Sequence, residues 1–168
     1  VTGTVMPVAE AGRVARTRGL LLMIDAAQAG GILPLDMERD GIDLLAFTGH
    51  KAMYGPPGTG GLVIGPRVDV KGMRPLLEGG TGSRSQEELQ PGFLPDKFES
   101  GTPNGAGLAG LAAGIAWLGR REREEESAGR KSLLETERRL AERLIHGITE
   151  IPGARVYGPA DVRNRLGV

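Results

Sequence analysis

Several residue types that carry a distinct chemistry are missing from this chain or rare in it. There is no cysteine among its 168 residues, so this chain supplies neither disulfide bonds nor thiolate metal ligands, and two histidines are too few for a histidine-rich metal centre. Lysine plus arginine and aspartate plus glutamate number 21 each, so the zero net charge indicates neither nucleic acid nor an anionic membrane as a partner. No apolar run approaches the roughly 20 residues of a membrane-spanning helix, and no signal-peptide pattern opens the chain. We therefore expect a cytoplasmic enzyme domain without a metal.

Three short apolar runs predict an α/β fold with a mostly parallel central sheet and flanking helices. The runs have the composition of strands that are buried on both faces, and they cover residues 20–24, 42–47 and 62–64. A fourth strand, residues 154–157, is expected to belong to a smaller second domain.

Helical periodicity predicts three helices around these strands. They cover residues 7–18, 104–118 and 132–149. The last two should be buried along apolar stripes formed by Leu108, Leu111, Ile115 and Leu118, and by Leu133, Leu140, Leu144 and Ile148. Arg120 and Glu124, and likewise Arg121 and Glu125, are four residues apart, which predicts a solvated helix surface with ion pairs.

Residues 65–103 form the longest stretch without a helix or strand pattern. We interpret it as an ordered excursion, and a long ordered loop is usually functional. Its order is predicted from the apolar residues that interrupt it, namely Leu76, Leu77, Phe93, Leu94 and Phe98. An alternative is that this loop docks a partner and that the chain is a noncatalytic interaction domain.

Two motifs follow neighbouring predicted strands: Asp-Ala-Ala-Gln at 25–28 and Phe-Thr-Gly-His-Lys at 47–51. In a parallel sheet the ligand lies beyond the carboxyl ends of the strands. An acid there can pair with a protonated ring nitrogen, and an amine can form a Schiff base with an aldehyde, which is how proteins hold pyridoxal 5′-phosphate. A partly desolvated Lys51 would be the nucleophilic amine. The alternatives are that Asp25 caps the turn after its strand and that Lys51 is a surface lysine.

The residues around these two suit the same cofactor. Ala27 is small enough to lie against a flat ring, and Gln28 can hydrogen-bond a phenolic oxygen. Thr48 and His50 flank the lysine with a hydroxyl and an imidazole, which suit a phosphate. Thr102 precedes a helix N-terminus, where an anion also binds, although a plain helix cap is the alternative.

A Gly-Pro-Pro-Gly-Thr-Gly run at 55–60 matches the first part of a nucleotide-binding loop, which makes a nucleotide-binding module a further alternative. That loop continues with Lys and Ser or Thr and leads into a helix. Here Gly61 and Leu62 follow and a strand is predicted, so we expect a turn that carries the lysine segment into the next strand.

Taken together, these motifs resemble the class V aminotransferase group, and most of all its cysteine desulfurases and their selenocysteine lyase relatives. The resemblance rests on the motifs at 25–28 and 47–51, on Gly-Pro-x-Gly-x-Gly-Gly-Leu at 55–62 and on Phe-Glu-Ser-Gly-Thr-Pro-Asn at 98–104. It covers nearly the whole chain, most strongly residues 1–118. It implies a PLP-dependent transferase-like fold of type I and a homodimer with shared active sites. Residues 1–118 would be the second half of the large domain and residues 119–168 the connecting helices and the start of the small α+β domain, in an internal piece of a longer enzyme.

The resemblance also implies a role for each site residue. Lys51 would be the Schiff-base lysine and the proton shuttle. The other cofactor-binding residues would be Asp25 at the pyridinium, Gln28 at the phenolic oxygen, Ala27 on the ring, Thr48 and His50 at the phosphate, and Thr102 at the phosphate of the partner subunit.

The implied reaction converts L-cysteine to L-alanine and leaves persulfide sulfur on an enzyme thiol, from which a sulfur-acceptor protein could take it. This chain has no thiol. The resemblance also places the residue that stacks on the cofactor and a helix start that holds its phosphate before residue 1, and the arginine that grips the substrate carboxylate beyond residue 168. We therefore expect the piece by itself neither to hold the cofactor tightly nor to turn over cysteine. An aminotransferase, an epimerase or a selenocysteine lyase of the same group remains the alternative.

Overall fold

The computed structural model describes residues 2–128 and 132–167. Three helices and three strands follow one another as α1 (Val8–Thr17), β1 (Met23–Asp25), β2 (Leu44–Thr48), β3 (Gly60–Ile64), α2 (Gly105–Ser127) and α3 (Leu133–Thr149). Short 3-10 turns lie at Asp96–Phe98 and Val162–Asn164. All three predicted helices are confirmed, and the chain has the expected α/β class.

The three strands form one mixed sheet in the order β1-β2-β3. β1 and β2 are parallel, with Asp25 opposite Ala46, whereas β2 and β3 are antiparallel, with Thr48 opposite Gly60. The direction of β3 follows from its connection, because residues 49–59 are fewer than the dozen or so that a parallel crossover needs. Residues 49–59 are therefore a hairpin loop at the carboxyl end of β2.

The sheet is less buried than the apolar runs predicted. Met23 is 56% exposed, and Leu62 and Val63 of β3 are exposed as well. The prediction that these strands are buried on both faces is wrong for this chain, because the described elements leave much of both faces uncovered. β1 is also shorter than predicted, since its partner β2 begins at Leu44, which lies opposite Met23.

The apolar stripes of the two long helices are only partly buried. In α2, Leu111 and Leu118 are buried but Leu108 and Ile115 are exposed. In α3, Leu144 is 64% exposed and Leu140 is also exposed, whereas Leu133 and Ile148 are half-buried. The amphipathic pattern is real, but within the described part of the chain nothing packs over most of the α3 stripe. The small core consists of Ala15, Ala26, Ile42, Val68, Leu111, Leu118 and Leu166.

The predicted strand at residues 154–157 is wrong. In the described structure the C-terminal segment instead hydrogen-bonds to the N-terminal one, with an isolated antiparallel bridge between Thr4 and Arg165. Val5 donates its backbone N–H to the carbonyl of Asn164 at 2.9 Å, and Leu166 donates to Gly3 at 2.8 Å. The backbone groups that a strand at 154–157 would need as partners are not offered by any described neighbour.

The charged part of α2 matches the predicted solvated surface only in part. Arg121 and Glu125 form the expected pair at 2.6 Å, but Glu125 is buried. Glu122 also accepts the backbone N–H of Leu133 at 3.2 Å, which joins the C-terminal part of α2 to the start of α3. Arg120 and Glu124 are exposed, as predicted, so only the side of α2 that carries Arg121 and Glu125 is shielded from solvent.

Residues 65–103 are held by polar contacts more than by their apolar side chains. Leu76 is 97% exposed, and Leu77, Phe93 and Leu94 are exposed too. Lys97, by contrast, is buried, and its Nζ donates to the carbonyls of Val70 at 2.6 Å and Lys71 at 3.2 Å. The side chain of Gln90 donates to the carbonyl of Asp96 at 2.7 Å.

We predict that Gly114→Ala lowers the free energy of unfolding by about 1–3 kcal/mol, the usual cost of overpacking. A Cβ at Gly114 of α2 would lie 2.5 Å from the carbonyl oxygen of Met53 and 2.9 Å from that of Tyr54, both of which are backbone atoms. The matched control is Gly147→Ala in α3, where a Cβ would meet nothing within 4 Å. It should raise stability by about 0.5–1 kcal/mol through helix propensity alone. Urea denaturation measures both, and equal effects would contradict the packing argument.

Candidate functional site

The two sequence motifs meet at one edge of the sheet. Asp25 is the last residue of β1, and Ala46 lies opposite it on the parallel strand β2. Thr48 ends β2 two residues later, so the alternation of side chains along a strand puts it on the same face as Asp25. The predicted convergence of the motifs at the carboxyl ends of neighbouring parallel strands is therefore what the structure shows.

Asp25 is exposed and shapes the turn that follows β1. Its Oδ1 accepts the backbone N–H of Ala27 at 2.9 Å, and Ala26 is buried against β2, where its N–H donates to the carbonyl of Ala46 at 2.8 Å. Oδ1 of Asp25 therefore caps the turn. Within the described residues its Oδ2 accepts no hydrogen bond, so this atom is available to a ligand.

An open cavity of about 270 Å³ lies beside β1. Asp25 and Gln28 are among its lining residues, together with the apolar side chains of Met23 and Leu33. None of the motif at 47–51 lines this cavity. The cavity therefore reaches only the acid and amide half of the site.

Thr48 and His50 form a polar pair immediately before the lysine. The hydroxyl of Thr48 and Nδ1 of His50 are 2.9 Å apart, within hydrogen-bond distance. His50 is exposed and Thr48 is half-buried. A hydroxyl and an imidazole beside an amine form a set that suits an anion such as phosphate.

Lys51 lies on a closed loop, residues 49–55, which we call the lysine elbow. Gly49 donates its backbone N–H to Thr59 at 2.8 Å, and Gly55 donates to Gly49 at 2.7 Å, so the elbow is closed at its base. Inside it, Tyr54 donates to the carbonyl of Lys51 at 3.0 Å. These hydrogen bonds fix the backbone that carries the lysine.

The turn after β1 touches the elbow directly. A Cβ at Gly31 would lie 2.6 Å from the carbonyl oxygen of Ala52, and one at Gly30 would lie 3.2 Å from the Cε of Met53. Gly31 also has φ +90°, which other residues rarely adopt. Only glycines allow this approach, and it ties the acid-bearing turn to the amine-bearing one.

Helix α2 also packs on the elbow. A Cβ at Gly55 would lie 2.8 Å from Cδ1 of Leu111. Tyr54 has φ +55°, and its ring meets that of Trp117 edge to face, with centroids 5.1 Å apart. Such a ring pair contributes about 0.5–1.5 kcal/mol. That is comparable with the cost of about 1–2 kcal/mol for a left-handed backbone at a non-glycine residue.

The predicted desolvation of Lys51 needs correction, whereas the predicted role of Thr102 at a partner's phosphate stays a prediction. Lys51 is exposed, so the described chain does not itself desolvate the amine as expected. Thr102 lies apart from the other site residues and lines a separate open cavity of about 450 Å³ with Thr81 and Ser85. Thr102 is also not the helix cap, because Oδ1 of Asn104 accepts the N–H of Gly107 at 3.0 Å.

The glycine-rich run after the elbow is not a nucleotide-binding loop. β3 begins at Gly60, where such a loop would lead into a helix. A Cβ at Gly61 would lie 2.9 Å from the ring of Phe47 on β2, which explains why glycine stands at this place in the strand. The run serves as the expected turn between the lysine elbow and β3.

Sequence reasoning missed the residues that hold the elbow. Gly31, Gly114 and Trp117 act by packing, and their partners lie far away along the chain. The spacing of Gly110 and Gly114, one helical turn apart, was an available signal for close approach of a backbone.

The described parts of the chain contain neither a candidate metal site nor a candidate membrane-spanning helix. Within residues 2–128 and 132–167, no cluster of three or more His, Cys, Asp or Glu side chains could hold a metal ion. No helix in the same ranges has the length and hydropathy required to cross a bilayer.

The chain is similar to known proteins over nearly its whole length. A 170-residue alignment with a probable cysteine desulfurase of Pyrococcus abyssi is 34% identical and covers 99% of this chain and 40% of that protein. A probable cysteine desulfurase of Methanothermobacter thermautotrophicus is 36% identical, with the same shares covered. The chain thus spans about 40% of the length of these relatives.

A solved structure supports the same relationship. The apo structure of the cysteine desulfurase from Thermococcus onnurineus NA1 matches with a TM-score of 0.73 at 32% identity, over 98% of this chain and 40% of that one. The family model for aminotransferase class V matches residues 1–168. The chain therefore belongs to the aminotransferase class V family.

Proposed function

We propose that this chain forms the cofactor-anchoring part of a pyridoxal 5′-phosphate-dependent cysteine desulfurase, an enzyme that converts L-cysteine to L-alanine and transfers the sulfur to a thiol. The observation that carries the proposal is the contact between the turn after β1 and the lysine elbow, which holds Asp25 and Lys51 at one edge of the sheet. The relatives named cysteine desulfurase support the choice of reaction within the family.

The residues at this edge fit that cofactor. Oδ2 of Asp25 accepts no hydrogen bond from the described residues and can pair with the ring nitrogen. Gln28 is exposed nearby for the phenolic oxygen, and the small side chain of Ala27 leaves room for a flat ring. The pair formed by Thr48 and His50 suits the phosphate. When bound, the cofactor supplies an electron sink for charge that develops at the substrate α-carbon.

Each of these residues has a defined task in the proposed reaction. The amine of Lys51 would hold the cofactor aldehyde until the substrate amine displaces it, and the freed amine would then accept the proton from the substrate α-carbon as a general base. Asp25 would keep the ring nitrogen protonated, because a neighbouring carboxylate favours the charged form. Thr48 and His50 would hold the phosphate end of the cofactor.

The rest of the site must come from outside these 168 residues. The thiol that takes the sulfur is a cysteine, and this chain has none. The exposure of Lys51 and the separate position of Thr102 support a site that a second copy of the chain completes, with Thr102 reaching the partner's phosphate group. In this proposal a sulfur-acceptor protein is the downstream partner.

Replacing Lys51 tests the enzyme proposal directly. In the full-length protein, Lys51→Ala should abolish the visible absorbance of bound cofactor and alanine release from cysteine, because no other amine occupies the elbow. Lys71→Ala is the matched control, since Lys71 is also an exposed lysine but lies outside the site. Equal cofactor absorbance in both variants would refute the proposal and favour an interaction domain.

Replacing Asp25 separates cofactor binding from turn capping. Asp69 is exposed and accepts the N–H of Lys71 at 3.1 Å, which is the same local hydrogen bond that Asp25 makes to Ala27 at 2.9 Å. Asp25→Asn and Asp69→Asn therefore remove a carboxylate charge at two equivalent caps, and each amide oxygen can still accept the backbone N–H. We expect only Asp25→Asn to slow alanine formation, by about 10²-fold or more, since positioned charge and proton control are worth that much. Equal rates would show that Asp25 is only a cap.

The chain of 168 residues taken alone should not release alanine from cysteine, because it contains no cysteine thiol. The assay is alanine quantification after incubation with cofactor and L-cysteine, with the full-length protein as the positive control. Robust turnover by the 168-residue chain would show that the thiol chemistry assigned to this family is not what this chain supports.

A further inference from the structure

One face of α2 lies along the lysine elbow. Its residues are not among those proposed to bind the cofactor. Leu111, Gly114, Trp117 and Arg121 are spaced three or four residues apart, so they share one side of the helix. Leu111 contacts the elbow at its base, and Gly114 lies beneath the carbonyl groups of residues 53 and 54. Trp117 is the next contact along this face.

The contact made by Trp117 leads to the backbone of the lysine. The ring of Trp117 lies edge to face with that of Tyr54, at 5.1 Å and an interplanar angle of 65°. Tyr54 donates its N–H to the carbonyl of Lys51 at 3.0 Å. Tyr54 is also the one non-glycine residue with positive φ in the described chain, a conformation that surrounding contacts must stabilise, and the ring of Trp117 supplies one of them.

Trp117 is itself braced from the C-terminal side of α2. The guanidinium of Arg121 lies over its ring, 5.5 Å from the centroid. Arg121 pairs with Glu125 at 2.6 Å, and the side chain of Glu125 is only 10% exposed. The ion pair therefore fixes the guanidinium, and the guanidinium limits the orientations open to the indole ring.

We infer that Trp117, braced by Arg121, is a positioning residue for Lys51: through the ring of Tyr54 it fixes the elbow backbone and so the place from which the amine reaches the cofactor aldehyde. This inference rests on the proposed function. It assigns Trp117 and Arg121 no contact with cofactor or substrate. Their effect passes through Tyr54 and the backbone of residues 51–54.

The test measures how selectively an aldehyde finds Lys51. The full-length protein, stripped of cofactor, is treated with pyridoxal 5′-phosphate and borohydride, and peptide mass spectrometry compares labelling of Lys51 with that of exposed Lys71. Trp117→Leu should lower the ratio of Lys51 labelling to Lys71 labelling on the order of tenfold, because displacing a positioned group by about 1 Å can lower a reaction rate about 10²-fold. Trp117→Phe keeps an aromatic ring against Tyr54, so its labelling ratio should stay close to that of the unsubstituted protein.

A second variant keeps the test decisive if Trp117→Leu does not fold. Tyr54→Asn removes the ring, yet asparagine tolerates the left-handed backbone at this position. It should lower the ratio as Trp117→Leu does, and the double variant should be no worse than either single one, because both remove the same contact. Full additivity would overturn the inference.

The contact of Arg121 with Trp117 and the proposed function are tested by separate comparisons. Arg121→Gln should lower the ratio severalfold, whereas Arg123→Gln, an exposed arginine on the same helix, should leave it unchanged. If the unsubstituted protein labels Lys51 no faster than Lys71, the proposed function fails. If it labels Lys51 selectively and Trp117→Leu and Tyr54→Asn retain that selectivity, the proposed function stands and the inference about Trp117 is wrong.

Discussion

Close contact between backbones around the lysine elbow is the constraint on which the candidate site depends. Gly31 brings the turn after β1 against Ala52, and Gly114 brings α2 against Met53 and Tyr54. Neither contact leaves room for a Cβ, so the positions of the acid and the amine depend on residues that have no side chain. Hydrogen bonds at Gly49 and Gly55 then close the elbow from within. The chemistry-bearing side chains are thus placed by a framework that itself takes no part in the chemistry.

The same framework leaves those side chains open to solvent. Asp25, His50 and Lys51 are all exposed, and the faces of the sheet and of α3 carry uncovered apolar residues such as Met23 and Leu144. A charged amine in water is a poor nucleophile, so a site of the proposed kind needs further protein to exclude solvent. The proposed second copy and the part of the relatives' length that this chain does not span agree with that requirement.

Sequence patterns predicted the helices well, because helical periodicity and end signals are local. The capping box of Ser132 and Glu135 starts α3 where expected, and Gly19 follows α1 with φ +65°. Sequence patterns failed where a strand or a buried residue depends on partners that are distant along the chain. Residues 154–157 have strand composition but no neighbouring strand in the described chain, and Glu125 reads as a solvated surface residue yet is buried. A mostly parallel sheet was predicted, whereas β3 runs antiparallel to β2, because the connection at 49–59 is too short for a parallel crossover.

The residues that could hold a cofactor are recognisable from sequence: an acid and an amine, each directly after a predicted strand, with a hydroxyl, an imidazole and an amide beside them. These assignments follow from residue types and short spacings, which are encoded locally. How the amine-bearing loop is held depends instead on contacts between distant parts of the chain. The contacts of Gly31 with Ala52 and of Trp117 with Tyr54 join residues on different elements. They form only when the chain folds back on itself, and no local pattern specifies which elements will then be neighbours.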